Sequence, residues 1–227
     1  MVFTLNQVVP WGRSFDEYTS MFALSKQYLD KRILDCGSGP SSFNCILAKK
    51  GGQVVSCDPI YQFNTDEIES RIGETHHQIL AETRKNKDEF VWDHISSVET
   101  LGQIRMKAMN DFLADYVQGR ESGRYVEASL PNLSFKDHEF QLALCSHFLF
   151  LYSEQFSHEF HILSIEELCR ISSEVRIFPL LELGAIKSRH LKTVMSALEE
   201  AGCEPTIEKV PYEFQKGGNR MMRIRAT

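Results

Sequence analysis

The sequence predicts an α/β fold: a doubly wound, mostly parallel sheet of seven strands, with a C-terminal antiparallel hairpin and a helical insertion between strands two and three. Three observations support this fold class. A strand, a glycine turn, a helix and a second strand follow one another over residues 32–58. Strand and helix patterns alternate again from residue 125, and Lys216-Gly217-Gly218-Asn219 separates the last two strand patterns. A length of 227 residues suits a single domain, residues 1–227, that carries an insertion.

The first half of the chain begins with a mixed segment. Phe15, Tyr18, Met21 and Tyr28 recur at roughly helical spacing, so residues 15–28 are predicted to form a helix. Residues 32–36 form a short apolar strand. Residues 41–50 are predicted to be a helix that Ser41 or Ser42 caps and Gly51-Gly52 ends. Residues 53–57 form the second strand.

Residues 62–124 are longer than one crossover connection requires. Their apolar spacing, in which Val91, Ile95 and Val98 fall on one helical face, predicts one crossover helix plus an inserted helical pair, with a solvated link at residues 85–89. Insertions on the loop side of such sheets often cover the ligand. The insertion therefore either caps a binding site or only adds packing.

The second half returns to alternating patterns. Strands are predicted at residues 125–129, 140–146, 174–180, 206–215 and 220–225, and helices at residues 154–171 and 188–201. Ser188 is expected to cap the second of these helices and Gly202 to end it.

Composition narrows the class of protein. The net charge is −6, which disfavours a nucleic-acid partner because binding to phosphates depends on Lys and Arg. The six cysteines form no C-x-x-C pair and are expected to be buried in a reducing compartment. No secretory signal and no membrane-spanning run are visible, so a cytoplasmic protein without a membrane partner is expected.

Asp35-Cys36-Gly37-Ser38-Gly39 is the most informative motif. Glycines after a strand let the backbone approach a ligand, because they have no Cβ. The helix that follows presents unpaired N–H groups to polar or anionic ligand groups. Asp35 before the glycines disfavours a pyrophosphate and suits a cationic group instead.

Asp58, at the end of the next strand, has the position and chemistry to hold a ribose. A carboxylate there accepts hydrogen bonds from both ribose hydroxyls. A dinucleotide fingerprint requires a third glycine or an alanine, where this chain has Ser42. The motif therefore indicates a nucleoside cofactor that carries positive charge, such as S-adenosylmethionine.

At these residues the chain resembles the class I S-adenosylmethionine-dependent methyltransferases, which have a Rossmann-like fold. The resemblance rests on residues 33–39, on Val54-Val55-Ser56-Cys57-Asp58 and on the closing hairpin. It implies that Asp35, Gly37, Ser38 and Gly39 face the methionyl part of the cofactor and that Asp58 holds the ribose. The family usually has a third glycine where Ser41 stands here.

The resemblance extends to further positions. Ser129 stands where the family often has an acidic adenine contact, and Ser146 and His147 fall where the transfer site lies. The residues expected at the cofactor are Tyr18, Asp35, Gly37, Ser38, Gly39, Asp58, Pro59, Ser129, Leu130, Ser146 and His147. Tyr18 and Met21 either close over the cofactor or pack against the sheet.

His147 is the candidate catalytic residue. It is expected either to act as a general base for the acceptor or only to bind the cofactor or a backbone carbonyl. His158 and His161, three residues apart, are expected to be surface histidines rather than metal ligands, so no metal site is predicted.

The predicted function is S-adenosylmethionine-dependent methyl transfer to a small-molecule acceptor. Methyl transfer needs alignment of donor and acceptor more than it needs an enzyme nucleophile, which fits a chain without a Ser-His-Asp arrangement. One alternative is a regulatory or scaffold protein that binds the cofactor without catalysis. Another is a nicotinamide-dependent oxidoreductase, which Ser42 and Asp35 disfavour.

Overall fold

The computed structural model describes residues 8–225, which contain one large sheet and a small one. The strands are β1 (Arg32–Cys36), β2 (Gln53–Cys57), β3 (Tyr125–Val126), β4 (Leu142–Ser146), β5 (Glu174–Phe178), β6 (Leu181–Glu182), β7 (Ile186–Lys187), β8 (Glu204–Lys209) and β9 (Arg220–Arg225). Seven of them form the large sheet in the order β3-β2-β1-β4-β5-β9-β8. The first five are parallel, and β9 runs antiparallel to β5 and β8. The predicted fold class is therefore confirmed.

Helices cover both faces of the sheet. They are α1 (Phe15–Met21), α2 (Lys26–Leu29), α3 (Phe43–Lys49), α4 (Thr65–Lys85), α5 (Val98–Glu121), α6 (His158–Ile171) and α7 (Leu191–Glu200). Alternate residues of each strand point to opposite faces. Leu34 belongs to an apolar cluster with side chains of α6 and α7, whereas Ile33 belongs to a second cluster with side chains of α1 and α3. This two-sided burial explains why β1 is apolar throughout its centre.

The insertion differs from the prediction. Residues 62–124 contain two long helices, α4 and α5, rather than a crossover helix plus a pair. α5 packs on α3 and β3, so it is the crossover helix, and α4 lies against it. Val91 and Ile95 were predicted to be helical, but the Val91 N–H donates to the carbonyl of Phe214 at 2.7 Å. That contact with a distant loop holds residues 91–97 outside a helix.

Other differences are local. The N-terminal helix is broken between α1 and α2, where Ala23 adopts a left-handed φ of 47°. β8 ends at Lys209, so residues 210–219 form a broad loop instead of a tight hairpin turn. Ser188 does not cap α7, because the N-cap of this helix is His190. The Ser188 hydroxyl instead accepts the His190 backbone N–H. The β6–β7 hairpin was not predicted.

All six cysteines are free thiols, and five of them are buried. Within residues 8–225, no helix is both long enough and apolar enough to cross a membrane.

Candidate functional site

A cavity of about 610 Å³ lies at the carboxyl ends of the parallel strands. The wall includes residues at or just after the end of each of these strands: 36–39 at β1, 58–60 after β2, 128–130 after β3, 146–148 at β4 and 178–179 at β5. Ligands of open α/β sheets bind at this edge, and small-molecule sites have volumes of roughly 300–1,000 Å³. Position and volume together mark the cavity as a ligand site.

The glycine turn after β1 forms part of the cavity wall. Gly37 and Gly39 have left-handed φ values of 64° and 52°. A Cβ on Gly37 would lie 3.0 Å from the Phe148 ring, whereas one on Gly39 would meet no heavy atom within 4 Å. The turn therefore needs glycine at both positions for its conformation, and at Gly37 also for space.

Tyr61 fixes the turn from the side, a contact that the sequence reasoning missed. Its hydroxyl donates to the carbonyl of Gly39 at 2.8 Å and lies 2.7 Å from the hydroxyl of Ser38. Tyr61 is buried and packs against Phe112 and Tyr116 of α5. Its place three residues after Asp58 is the signal that could have identified it.

The Asp58 carboxylate is held by two backbone donors. One oxygen accepts the Gly39 N–H at 2.8 Å and the other accepts the Ile60 N–H at 2.9 Å. Burial raises the pKa of Asp58, and these two hydrogen bonds act in the opposite direction. Asp58 and the exposed Pro59 line the cavity directly beside the glycine turn.

Asp35 differs from the expectation that it faces the ligand. It is fully buried and does not belong to the cavity wall. Its carboxylate accepts the hydroxyls of Tyr18 at 3.1 Å and Ser56 at 3.4 Å, and burial raises its pKa to about 8. Tyr18, which does line the cavity, separates Asp35 from it. Asp35 therefore positions Tyr18 by its hydrogen bond.

Ser129 and Leu130, the candidates for the adenine contact, lie in the cavity wall. Ser129 is exposed and Leu130 is buried, and both contribute to the wall. Ser129 pairs with Asn132 across a short bridge, so the loop after β3 is closed by its own backbone. The wall segment formed by residues 128–130 contains no carboxylate.

His147 has the geometry of a constrained, neutral imidazole. Its φ is 52°, its backbone N–H donates to the carbonyl of Phe178 at 2.6 Å, and its ring Nδ1 lies 2.9 Å from the Ser146 hydroxyl. Burial, followed by the charges of Arg13 and Arg105, lowers the pKa of His147 well below its usual value. The ring is therefore uncharged near pH 7, as a general base must be.

Two arginines line the cavity near His147, and the sequence reasoning missed both. Arg105 is fully buried and forms an ion pair with Glu17 of α1. Arg13 lies in the segment before α1, where no motif marks it. Arg105 could have been noticed, because it stands four residues after Leu101 and four before Met109, on the apolar face of α5.

His147, His158 and His161 do not come together as a metal site. His161 was predicted to be on the surface, but it is buried, with its ring nitrogens 2.7 Å from the carbonyl of Ser157 and 3.1 Å from that of Leu149. His158 is exposed. Across residues 8–225, no group of three or more His, Cys, Asp or Glu side chains is arranged to hold a metal ion.

Fold and site together define a doubly wound α/β protein with a cavity at the carboxyl ends of its parallel strands. No family model matches the chain. The uncharacterized protein MJ0045 of Methanocaldococcus jannaschii is 37% identical over 222 residues, which cover 97% of each protein. The chain belongs to the family of that protein.

Similar solved structures have much lower sequence identity. A SAM-dependent methyltransferase from Aquifex aeolicus is 13% identical, with 94% of this chain and 89% of that chain covered and a TM-score of 0.47. A putative S-adenosyl-L-methionine-dependent methyltransferase from Methanococcus maripaludis is 13% identical, with 94% and 83% covered and a TM-score of 0.48. Magnesium protoporphyrin IX methyltransferase from Synechocystis, solved with bound SAH, is 12% identical, with 94% and 82% covered and a TM-score of 0.46.

Proposed function

We propose that this protein is an S-adenosylmethionine-dependent methyltransferase that acts on a small molecule. The observation that carries the proposal is the cavity wall beside β1 and β2. There, an open glycine turn and the Asp58 carboxylate stand next to each other, linked by the Gly39 N–H. The resemblance of residues 33–39 and 54–58 to the class I methyltransferases supports the same cofactor.

The residues present fit this cofactor. A carboxylate has about four acceptor sites, and the Gly39 and Ile60 N–H groups use two of them at Asp58. The remaining two match the two hydroxyl groups of a ribose. A Cβ on Gly39 would meet no heavy atom within 4 Å, so there is open space beside the turn for the methionyl part. When bound, the cofactor supplies an electrophilic methyl group on a sulfonium.

The mechanism assigned to the chain is mainly one of positioning. The glycine turn and Asp58 bind the donor, and residues 128–130 and 146–148 border the rest of the cavity. A wall that holds donor and acceptor aligned can supply much of the rate enhancement of a displacement reaction. The neutral ring of His147 is available to take a proton from the acceptor hydroxyl or amine.

The helical insertion serves as the cap of this site. Ile79 and Thr83 of α4 and Leu101 of α5 line the cavity, as does Tyr212 of the loop between β8 and β9. Together with residues 8–11, these parts of the chain complete the wall opposite the strand ends. A cavity of this size accommodates a small molecule better than a folded protein or a nucleic acid. The cytoplasmic location predicted from the sequence stays a prediction.

A screen with methyl-labelled S-adenosylmethionine tests the proposal. The purified protein is incubated with pools of small-molecule acceptors, and transferred label is measured beside the Asp58→Ala variant as the matched control. Label transfer by the wild type and its loss in the variant support the proposal. Calorimetry that detects no binding of S-adenosylmethionine or S-adenosylhomocysteine to the folded protein contradicts it.

A regulatory or scaffold protein that binds the cofactor without catalysis is the second candidate. Ser129, which offers a hydroxyl where the methyltransferases often have an acid, favours it. Turnover of any acceptor in the labelled screen excludes this alternative, whereas tight S-adenosylhomocysteine binding without turnover supports it.

A further inference from the structure

Four polar side chains on one face of the sheet lead from the core to the cavity. Asp35 of β1 stands in register with Leu144 of β4, and side chains two residues apart in a strand share a face, so Ser146 lies on that face nearer the carboxyl end. Tyr18 of α1 packs there in the same apolar cluster as Leu144. His147 follows Ser146 directly and lines the cavity. Asp35, Tyr18, Ser146 and His147 thus form a polar row.

Hydrogen bonds connect the members of the polar row. The Tyr18 hydroxyl donates to Oδ1 of Asp35 at 3.1 Å. The Ser146 hydroxyl is hydrogen-bonded to the Tyr18 hydroxyl and lies 2.9 Å from Nδ1 of His147. Asp35, Tyr18 and Ser146 are all buried, so an unpaired polar atom among them is costly.

The surroundings of the row determine which hydroxyl can donate to Tyr18. Ser41 also contacts the Tyr18 hydroxyl, but its own proton goes to the carbonyl of Arg13 at 3.2 Å. Ser146 is therefore the hydroxyl that donates to Tyr18. Among residues 8–225, Nε2 of His147 has no hydrogen-bond partner, so it is the ring nitrogen left for a ligand of the cavity.

The ionisation of Asp35 sets the direction of these hydrogen bonds. An ionised carboxylate only accepts, so Tyr18 donates to it and in turn accepts from Ser146. The Ser146 oxygen is then left to accept a proton held on Nδ1 of His147. With the proton on Nε2 instead, Ser146 would donate to Nδ1 and the row would have one hydrogen bond fewer. A protonated Asp35 can donate to Tyr18, which permits the reversed direction.

We propose that ionised Asp35, acting through Tyr18 and Ser146, holds the proton of the His147 ring on Nδ1 and leaves Nε2 unprotonated at the cavity. Asp35, Tyr18 and Ser146 are then positioning residues, and Nε2 is the atom that takes the proton of the methyl acceptor. This last role rests on the proposed function. The tautomer itself requires no cofactor.

The tautomer is expected to change with pH where Asp35 titrates. Burial raises the pKa of Asp35 to about 8, although the hydrogen bonds from Tyr18 and Ser56 act in the opposite direction. His147 stays neutral throughout, because burial lowers its pKa well below the usual value. The titratable and charged groups that face the row are Tyr18, Asp58, Tyr61 and Cys145 around Asp35, and Arg13 and Arg105 around His147.

The experiment measures the ring-nitrogen NMR signals of His147 in protein made with isotope-labelled histidine, without added ligand. The signals are assigned by their loss in His147→Gln. At about pH 9 the Nδ1–H form is expected to exceed the Nε2–H form roughly fivefold, and this excess is expected to fall at about pH 6. Tyr18→Phe and Ser146→Ala both interrupt the row and are expected to abolish the excess and its pH response.

Tyr28→Phe is the matched control for Tyr18→Phe. Tyr28 lies on α2 and is not part of the cavity wall, and its hydroxyl accepts a hydrogen bond from Arg223 at 3.1 Å. The same loss of a tyrosine hydroxyl is therefore made outside the polar row. The His147 signals of this variant are expected to match those of the wild type at both pH values.

Each outcome decides the inference. An excess of the Nε2–H form in the wild type at about pH 9 overturns it, as does an Nδ1–H excess that persists in Ser146→Ala. An Nδ1–H excess that is the same at both pH values overturns it too, because Asp35 then does not set the tautomer. Ser146→Ala keeps the bond between Tyr18 and Asp35, so it decides the matter even if Tyr18→Phe does not fold. Absence of S-adenosylhomocysteine binding contradicts only the proposed function, so the two failures are distinguishable.

Discussion

Replacement of Asp58 by alanine tests the cofactor site at the side chain with the most defined geometry. The change removes acceptors from the Gly39 and Ile60 N–H groups, which lie 2.8 and 2.9 Å from the carboxylate. It also removes a buried carboxyl group whose raised pKa shows that burial outweighs these hydrogen bonds. The two effects oppose each other, so we expect the free energy of unfolding to fall by only about 1 kcal/mol.

The effect of Asp58→Ala on cofactor affinity is expected to be larger. Two hydrogen bonds from ribose hydroxyls to a carboxylate are worth about 1.5 kcal/mol each, so the Kd for S-adenosylhomocysteine is expected to rise about 100-fold. Asp58→Asn keeps one acceptor oxygen and is expected to lose about tenfold. Calorimetry measures the affinities and urea unfolding the stabilities. An Asp58→Ala variant that is folded and binds with wild-type affinity refutes the reasoning.

Three further predictions concern other residues of the site. Gly37→Val places a branched side chain at a φ of 64°, with its Cβ 3.0 Å from the Phe148 ring. The free energy of unfolding in urea is expected to fall by about 2–4 kcal/mol, and S-adenosylhomocysteine binding is expected to be lost. Binding with wild-type affinity contradicts this prediction. The His147 ring is expected to stay neutral from pH 8 to pH 6 in an NMR titration, because burial lowers its pKa, and a midpoint at 6.5 or above is the contrary result. Asp35 has a pKa of about 8 when folded, against 3.8 for an ordinary Asp, so the folded state holds its proton more tightly. Stability from this proton is lost as the pH rises from about 4 through 8. Asp35→Asn removes this titration, so the free energy of unfolding in urea of the variant is expected to rise relative to that of the wild type between pH 5 and pH 8. Parallel pH profiles of the two proteins contradict this prediction.

The strands and the glycine turn were predictable because local and tertiary preferences agree there. β1 and β2 match their predicted bounds, since each is a short apolar run that ends at a glycine or an acid. The same agreement marked Asp58 and His147 as residues at the ends of strands. The orientation of Asp35 was harder to predict, because adjacent residues of a strand face opposite sides and the motif alone does not show which of them meets the ligand.

The remaining features depend on contacts between distant parts of the chain. The Val91 N–H bonds to Phe214 and keeps an apolar segment out of a helix, which periodicity does not reveal. Arg13 and Arg105 come together only through Glu17 of α1 and the packing of α5. Tertiary contacts of this kind override local propensity, so this part of the cavity wall could not be derived from the sequence pattern.

Titration of S-adenosylhomocysteine into the wild-type protein tests the central claim most directly. Calorimetry with the nicotinamide dinucleotide as a parallel ligand reports which nucleoside the cavity binds. We expect one saturable site for S-adenosylhomocysteine, with a matching rise in thermal stability and no effect of the dinucleotide. Absence of both heat and stabilisation with S-adenosylhomocysteine, or stabilisation by the dinucleotide alone, contradicts the account.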